Sequence, residues 1–134
     1  MSKVLISIKP EYVNKIMDGT KKYEYRRMLA KKEVSCLIIY STWPVMEIVG
    51  EVEVLGTLEM APNTLWEKTK QDAGICRRKY REYFSGRKKA YAYVLGKVKA
   101  YKQYKELIDI GIIQAPQSFV YLTQEQYEIL EKGE

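Results

Sequence analysis

The segment at residues 19–27 concentrates side chains that can do chemistry: four cations, one carboxylate and two tyrosines within nine positions. If residues 23–27 form a strand, side chains alternate between two faces, and Glu24 and Arg26 share one face. The pattern admits two interpretations. One is an edge strand with solvated charges, whose Glu24–Arg26 ion pair contributes little. The other is that both side chains point into a pocket, which Lys21 joins from the preceding turn.

Residue types that are absent or rare exclude several kinds of chemistry. Histidine is absent, and the two cysteines, Cys36 and Cys76, are far apart in the sequence. This excludes a His-ligated metal, an imidazole-activated nucleophile and a CxxC redox or zinc motif. Any catalysis must use Lys, Glu, Asp, Tyr, Ser or Thr, and Lys21 with Glu24 is the candidate catalytic pair. We expect neither a metal nor a cofactor.

Charge and aromatic content favour a polyanionic partner. The net charge is +6, and the chain has twelve tyrosines but only two phenylalanines. Basic residues interleaved with aromatic ones are typical of surfaces that bind nucleic acid. The densest positive charge lies at residues 77–89, where it forms either a solvated helix face or a phosphate track.

Length and hydrophobicity predict a single domain over residues 1–134. A chain of this size buries roughly two thirds of its unfolded surface and needs no disulfide framework. No apolar run approaches the length of a membrane span, and the first residues do not resemble a secretory signal. We therefore expect a cytoplasmic protein without membrane contact. The sequence does not indicate the oligomeric state of the protein, and it does not indicate a role for residues 102–134.

Hydrophobic periodicity predicts the strands that must position these residues. Apolar runs rich in β-branched side chains predict five strands besides the one at residues 23–27. They cover residues 4–8, 35–41, 48–60, 90–101 and 118–122. Interior glycines predict bulges in the two long strands, and the glutamates at positions 51, 53 and 59 are expected on a solvated face.

Helical periodicity begins after Pro10, whose ring suits a first helical turn, and Gly19 is expected to end that helix with a positive φ. Lys21 then lies in the turn before the next strand. There it either joins the site or complements the negative end of the helix dipole. Three more helices are predicted, one capped at Thr64 and Glu67, one carrying Tyr80, Tyr83 and Phe84, and one capped at Thr123 and Gln126.

The spacing of Gly19, Lys21, Glu24 and Arg26 matches GxKxxExR, which resembles the signature of the ASCH domain family, named after the activating signal cointegrator. Residues 7–12, which include Lys9, look like the family's entry into that motif, and the resemblance extends over residues 4–101. It implies an α+β fold, a PUA-like mixed β-barrel of about five to six strands with short peripheral helices. It also implies that the Lys, Glu and Arg of the motif line one cleft for RNA or a nucleotide-like ligand.

We therefore expect a nucleic-acid-binding module, with RNA as the first partner and DNA as the alternative. Lys and Arg can hold phosphate, a carboxylate can accept from an exocyclic amine, and an aromatic wall can stack on a base. The end of a neighbouring strand offers that wall, although such a strand end is also typical of a plain turn. The candidate binding residues are Lys9, Lys21, Glu24, Arg26, Arg27, the wall residues Tyr40, Ser41 and Trp43, and the basic helix residues Arg77, Arg78 and Arg81.

Two other functions stay open. One branch of the family hydrolyses N4-acetylcytidine with a Lys, a Thr and a Glu, and ribonuclease activity has been proposed within the family. Here Glu24 occupies the position of that Thr, three after Lys21, and Glu67 or Asp72 is the candidate second carboxylate. Without histidine, a ribonuclease would depend on Lys, Arg and Tyr. The other alternative is a protein-interaction adaptor in which the Glu24–Arg26 pair is structural.

Overall fold

The computed structural model describes residues 1–134 as six strands and four short helices. The strands are β1 (Ser2–Ile8), β2 (Tyr23–Arg26), β3 (Val34–Ser41), β4 (Glu47–Met60), β5 (Ala90–Lys105) and β6 (Phe119–Tyr121). The helices are α1 (Pro10–Met17), α2 (Pro62–Thr69), α3 (Arg77–Tyr83) and α4 (Gln124–Glu131). None of these helices is long and apolar enough to cross a membrane.

All six strands belong to one sheet in the order β2-β5-β4-β3-β1-β6. The β1–β3 pair is parallel and the other pairs are antiparallel. The long strands β4 and β5 shift register three times along their pairing, as their interior glycines predict, and such shifts bend a sheet. The result is a curled half-barrel with peripheral helices, which confirms the predicted α+β class and mixed barrel.

Side chains on the two faces of the sheet enter different hydrophobic clusters. The interior cluster includes Ile6 and Leu37, and a second cluster on the opposite face of the same strands includes Leu5 and Ile38. A third cluster packs β2 and β5 beneath α2 and α3, with Tyr80 among its largest buried side chains. The nearly continuous apolar runs of β1 and β3 therefore have cover on both faces.

Helix α1 positions the turn that carries Lys21. Pro10 occupies its first turn, and Gly19 follows its end with φ of 85°, as predicted. The backbone N–H of Lys21 donates to the carbonyl of Lys15 at 3.0 Å, so the turn is fixed to the last turn of the helix. Strand β2 begins two residues later.

Helix α2 begins earlier than the sequence pattern predicts. The expected capping box at Thr64 and Glu67 does not form, because Pro62 occupies the first turn and Ala61 is the N-cap residue. A proline at the first helical position has the helical φ already set and lacks an N–H that would otherwise be unpaired. The capping box at Thr123 and Gln126, in contrast, forms at the start of α4 as predicted.

Glu51 on β4 is not a solvated side chain, contrary to the sequence-based expectation. Its carboxylate accepts from the hydroxyl of Tyr101 at 2.9 Å, from that of Tyr127 at 3.0 Å, and from the thiol of Cys36 at 3.2 Å. Burial, reinforced by this carboxylate, raises the pKa of both tyrosines above the usual range, so both hydroxyls stay donors. The network joins α4 to the sheet.

Replacing Glu51 by alanine is expected to lower the free energy of unfolding by about 3 kcal/mol, because buried donors lose a charged acceptor. Urea denaturation measures this loss. The matched control is Glu59→Ala on the same strand, whose partner Lys89 is exposed, and the expected loss there is much smaller because solvent screens the pair. Equal losses in the two variants would contradict a structural role for the Glu51 network.

Candidate functional site

A cleft of about 510 Å³ lies among the end of β1, helix α1, strand β2 and helix α3. Strand β2 is one edge of the sheet and is not paired with β1. The side chain of Arg26 spans this unpaired seam, donating from Nη2 to the backbone carbonyl of Ser7 at 2.9 Å. The cleft therefore opens where the half-barrel fails to close.

Lys21 is buried at the base of the cleft, with 4% of the residue exposed. Its Nζ donates one hydrogen bond, to the carbonyl of Ala73 at 2.7 Å. The same nitrogen lies 5.3 Å from the ring centroid of Tyr12 and 4.9 Å from that of Tyr25. An ammonium has three N–H donors, so this arrangement leaves donors for a ligand.

Burial lowers the pKa of Lys21 to about 8, because desolvation disfavours the charged amine. The Glu24 carboxylate opposes this effect, whereas the cations of Lys15 and Arg26 reinforce it. A lysine that titrates close to neutral pH can bind an anion as a cation or accept a proton as a neutral amine.

Glu24 and Arg26 form a shielded ion pair beside Lys21. The Nε and Nη2 atoms of Arg26 both donate to the same carboxylate oxygen, Oε2, at 3.0 and 2.6 Å. The side chains are 8% and 15% exposed. The second carboxylate oxygen, Oε1, accepts no hydrogen bond from the protein. It is thus available to a donor that enters the cleft, and the solvated-edge interpretation of β2 does not describe this pair.

Tyrosines form the aromatic walls of the cleft. The Tyr25 hydroxyl shares a hydrogen bond with Thr69 at 2.6 Å, which fixes its ring on the third cluster. Burial raises the pKa of Tyr12, so its hydroxyl remains protonated. On the opposite side, Arg27 lies 4.3 Å over the Tyr83 ring and donates to the carbonyl of Tyr83 at 2.9 Å. The cleft therefore presents both aromatic rings and charged groups to a ligand.

Five of the residues predicted for the site line this one cleft. They are Lys9, Lys21, Glu24, Arg26 and Arg27. The alternation of β2 brings Glu24 and Arg26 to the inner face, while Tyr25 packs beneath the helices on the outer face. The turn fixed to α1 adds Lys21 from the same side.

The predicted wall residues do not line this cleft. Tyr40 packs in the second cluster, because the alternation of β3 turns it away from the barrel interior, and Ser41 is buried beside Ile8. Trp43 is 78% exposed in the loop after β3. The aromatic side chains that line the cleft are instead Tyr25 from β2 and Tyr12 and Tyr83 from two helices. Among the two helical residues, only Tyr12 was indicated by the sequence, because it lies in the segment that leads into the motif.

The basic helix α3 contributes a different set of residues from the one predicted. Arg77 and Arg78 are exposed, and Arg78 pairs with Glu82 at 3.4 Å. Arg81 faces a separate depression of about 330 Å³. The cleft receives Lys79 instead, along with Glu82 and Tyr83. Residues three or four apart share a helix face, which separates Lys79 and Tyr83 from Arg81.

The carboxylates proposed for an amidohydrolase do not line the cleft. Glu67 is exposed and forms an ion pair with Lys70 at 2.7 Å. Asp72 accepts at its backbone carbonyl from the N–H of Lys22 at 2.9 Å, on the far side of the turn. The carboxylates that line the cleft are Glu24 and Glu82.

Comparison with known proteins defines the class to which this fold and cleft belong. The model of the ASCH domain matches residues 6–129, and the chain belongs to this family. The resemblance inferred from the GxKxxExR motif is thereby confirmed.

Two matches from Zymomonas mobilis agree with this assignment. The chain is 32% identical over 132 residues to an ASCH domain-containing ribonuclease from Zymomonas mobilis, covering 94% of this chain and 88% of the relative. The crystal structure of ASCH from Zymomonas mobilis superposes with a TM-score of 0.89 at 29% identity, over 96% of this chain and 93% of that one. The chain is also 32% identical over 120 residues, 89% of its length, to the ATP synthase subunit alpha of Ureaplasma parvum serovar 3, but spans 15% of that protein.

Proposed function

We propose that this protein binds RNA by taking a nucleotide into the cleft lined by Lys21, Glu24 and Arg26. The observation that carries the proposal is the convergence of these three motif side chains, which come from a turn and an edge strand, on one cavity. The cavity volume of about 510 Å³ falls in the range of small-molecule sites. The similarity to an ASCH domain-containing ribonuclease supports RNA as the polymer.

The chemistry of the lining fits a nucleotide. Glu24 Oε1 can accept from an exocyclic amine or a ribose hydroxyl, and the ring of Tyr12 or Tyr83 can stack on a base. Lys9 and Lys79 at the rim can contact phosphate. The cleft thus offers groups complementary to a base, a ribose and a phosphate.

RNA cleavage is a second candidate, favoured by the lowered pKa of Lys21. In this reaction the neutral amine of Lys21 takes the proton of a ribose 2′-hydroxyl, and the 2′-oxygen forms a bond to the adjacent phosphorus. The bond from phosphorus to the 5′-oxygen breaks, and that oxygen takes a proton from the Tyr12 hydroxyl or from water. The products are a 2′,3′-cyclic phosphate and a free 5′-hydroxyl. Arg26 and Lys9 line the cleft, where their positive charges can stabilise the negative charge that develops on the phosphate.

The pH dependence of RNA binding and cleavage separates these two roles of Lys21. Its amine is a cation below pH of about 8 and neutral above it. If the cation holds RNA, affinity falls as the pH rises through this value, as measured by fluorescence anisotropy of a labelled single strand. If the neutral amine is the base, kcat/KM for RNA rises with pH and levels off above this value.

Lys21→Met is the control, because it removes the titrating amine. We expect the pH step in either measurement to disappear in this variant. A labelled DNA strand of the same sequence tests the choice of RNA. No binding of either polymer at low salt would reject the proposal and favour the protein-interaction adaptor.

A further inference from the structure

The loop between β3 and β4, residues 42–46, exposes three apolar side chains, one of them a tryptophan. Trp43 is 78% exposed, Met46 is 54% exposed and Val45 is 38% exposed. The other tryptophan, Trp66, packs against Tyr80 in the third cluster with ring centroids 4.8 Å apart. A group of exposed apolar side chains of this kind marks an interaction site more often than a single exposed residue does.

Backbone hydrogen bonds hold this loop in place. The N–H groups of Val45 and Met46 both donate to the carbonyl of Thr42, at 3.1 and 3.4 Å. The N–H of Thr42 donates to the carbonyl of Ile8 at 3.0 Å. Trp43 is therefore presented from a fixed turn, which reduces the entropy lost when a ligand packs on it.

The loop is directly beside the cleft. Ile8, whose carbonyl receives the Thr42 N–H, lines the cleft together with the next residue, Lys9. Trp43 directly follows Thr42, and consecutive Cα atoms are about 3.8 Å apart. The backbone of Trp43 therefore lies close to the hydrogen bond between Thr42 and Ile8. A polymer that leaves the cleft past Ile8 and Lys9 would therefore pass this loop.

The surroundings of the loop favour a nucleic acid over an apolar protein surface. Lys9 makes no ion pair on the cleft side. On the other side, β4 pairs with the end of β5, where a broad depression contains Lys102, Tyr104 and Lys105 together with two carboxylates, Glu47 and Asp109. Neither ammonium there forms a salt bridge, and Tyr104 is 53% exposed. Exposed aromatic rings alternating with unpaired cations are the features of a single-strand track.

Helix α3 offers a weaker track. It offers no aromatic ring beyond the cleft, since Tyr80 is buried and Tyr83 belongs to the wall of the cleft, with Arg27 over its ring. Arg78 is paired with Glu82. This helix can contribute phosphate contacts, but it has no ring outside the cleft on which a second base can stack.

We infer that Trp43 is a stacking platform for the nucleotide next to the one in the cleft, and that a single-stranded RNA continues past it toward Lys105. This inference rests on the proposed function, because it assigns the second position of the same RNA. It predicts that a short strand uses Trp43 whereas a mononucleotide does not.

The test uses the Trp66→Phe variant, in which Trp43 is the sole tryptophan, and a single-stranded RNA of about six nucleotides, which is within the site size of comparable binders. We expect this RNA to quench the Trp43 emission to saturation, and cytidine 5′-monophosphate to bind without quenching it. In the protein that keeps Trp66, Trp43→Ala is expected to weaken binding of the same RNA by about 10- to 100-fold, the loss for one stacked base. Trp43→Phe is expected to retain most of the affinity.

The controls are Leu55→Ala, which removes an exposed apolar side chain on β4, and the double variant Arg77→Ala and Arg81→Ala on α3. Both are expected to weaken RNA binding less than Trp43→Ala does. Two results would overturn this inference but not the proposed function: RNA that binds by anisotropy without changing the Trp43 emission, or a Trp43→Ala variant with unchanged RNA affinity. Either result would indicate that the loop contacts a protein partner or a second copy of the chain. No RNA binding by the wild type would overturn the proposed function as well.

Discussion

Lys21→Met is expected to weaken RNA binding by about tenfold or more, the loss for one specific contact, and to leave the protein folded. If RNA is cleaved, kcat/KM is expected to fall by about 100-fold or more, as for loss of a general base. Methionine matches the lysine stem in length and keeps the packing of the stem beside Gly74, while the contacts of Nζ with the rings of Tyr12 and Tyr25 are lost with the amine. It removes only the amine.

Stability distinguishes a functional lysine from a structural one. The folded state lowers the pKa of Lys21, so the folded protein binds this proton less tightly than the unfolded chain does. Burial of the cation is therefore unfavourable below the unfolded-state pKa, and stability gains as the pH rises through about 8 toward the unfolded value. Lys21→Met removes this cost but also the hydrogen bond to Ala73, so we expect a free energy of unfolding within about 1 kcal/mol of wild type at pH 7.

The matched control is Lys22→Met at the next position, where the side chain is exposed. It removes the same charge from the same turn and is expected to change affinity only slightly. Urea denaturation and RNA anisotropy on the two variants complete the test. A large loss of stability with unchanged RNA affinity in Lys21→Met would assign Lys21 to the fold instead of the site.

Gly74→Ala is expected to disrupt both the fold around Lys21 and the binding of RNA. Gly74 has φ of 64°, a conformation that costs an L-residue with a side chain about 1–2 kcal/mol. A Cβ atom there would lie 2.5 Å from Cβ and 2.6 Å from Cγ of Lys21. The lysine cannot move aside without losing the hydrogen bond to the carbonyl of Ala73. We expect a loss of about 3 kcal/mol or more in the free energy of unfolding, as for an overpacked core site.

Gly86→Ala separates the two causes, because Gly86 has φ of 76° but no atom within 4 Å of an added Cβ. Its expected loss is the conformational part alone, about 1 kcal/mol. RNA affinity is expected to fall for Gly74→Ala and to stay at the wild-type value for Gly86→Ala. Equal losses of stability in the two variants would show that contact with Lys21 does not constrain Gly74.

The local elements of this protein follow from local sequence. β-branched runs predicted β1, β3 and β6, and interior glycines predicted the bends of β4 and β5. Pro10 and Gly19 bounded α1, which fixed the position of Lys21 relative to β2. The spacing of the GxKxxExR motif was sufficient to indicate the family. These features depend on residues within a few positions of one another, where propensity and period act directly.

Sequence spacing also placed Glu24 and Arg26 on one face, but it did not decide whether that face met water or a cavity. The answer depended on the seam between β2 and β1, which Arg26 spans to reach Ser7. It also depended on α3, which is far along the chain and supplies Tyr83 and Lys79 to the opposite wall.

The amino-acid sequence by itself determined the strands, the turn with Lys21, and the motif that identifies the family. The tertiary structure alone decided that Tyr40 faces the second cluster, that Glu51 is an acceptor for Tyr101 and Tyr127, and that the lysine of the motif is buried. That burial rests on contact with Ala73, 52 positions away in the chain. Desolvation by such distant segments is what lowers the pKa of Lys21, and no pattern of neighbouring residues encodes it.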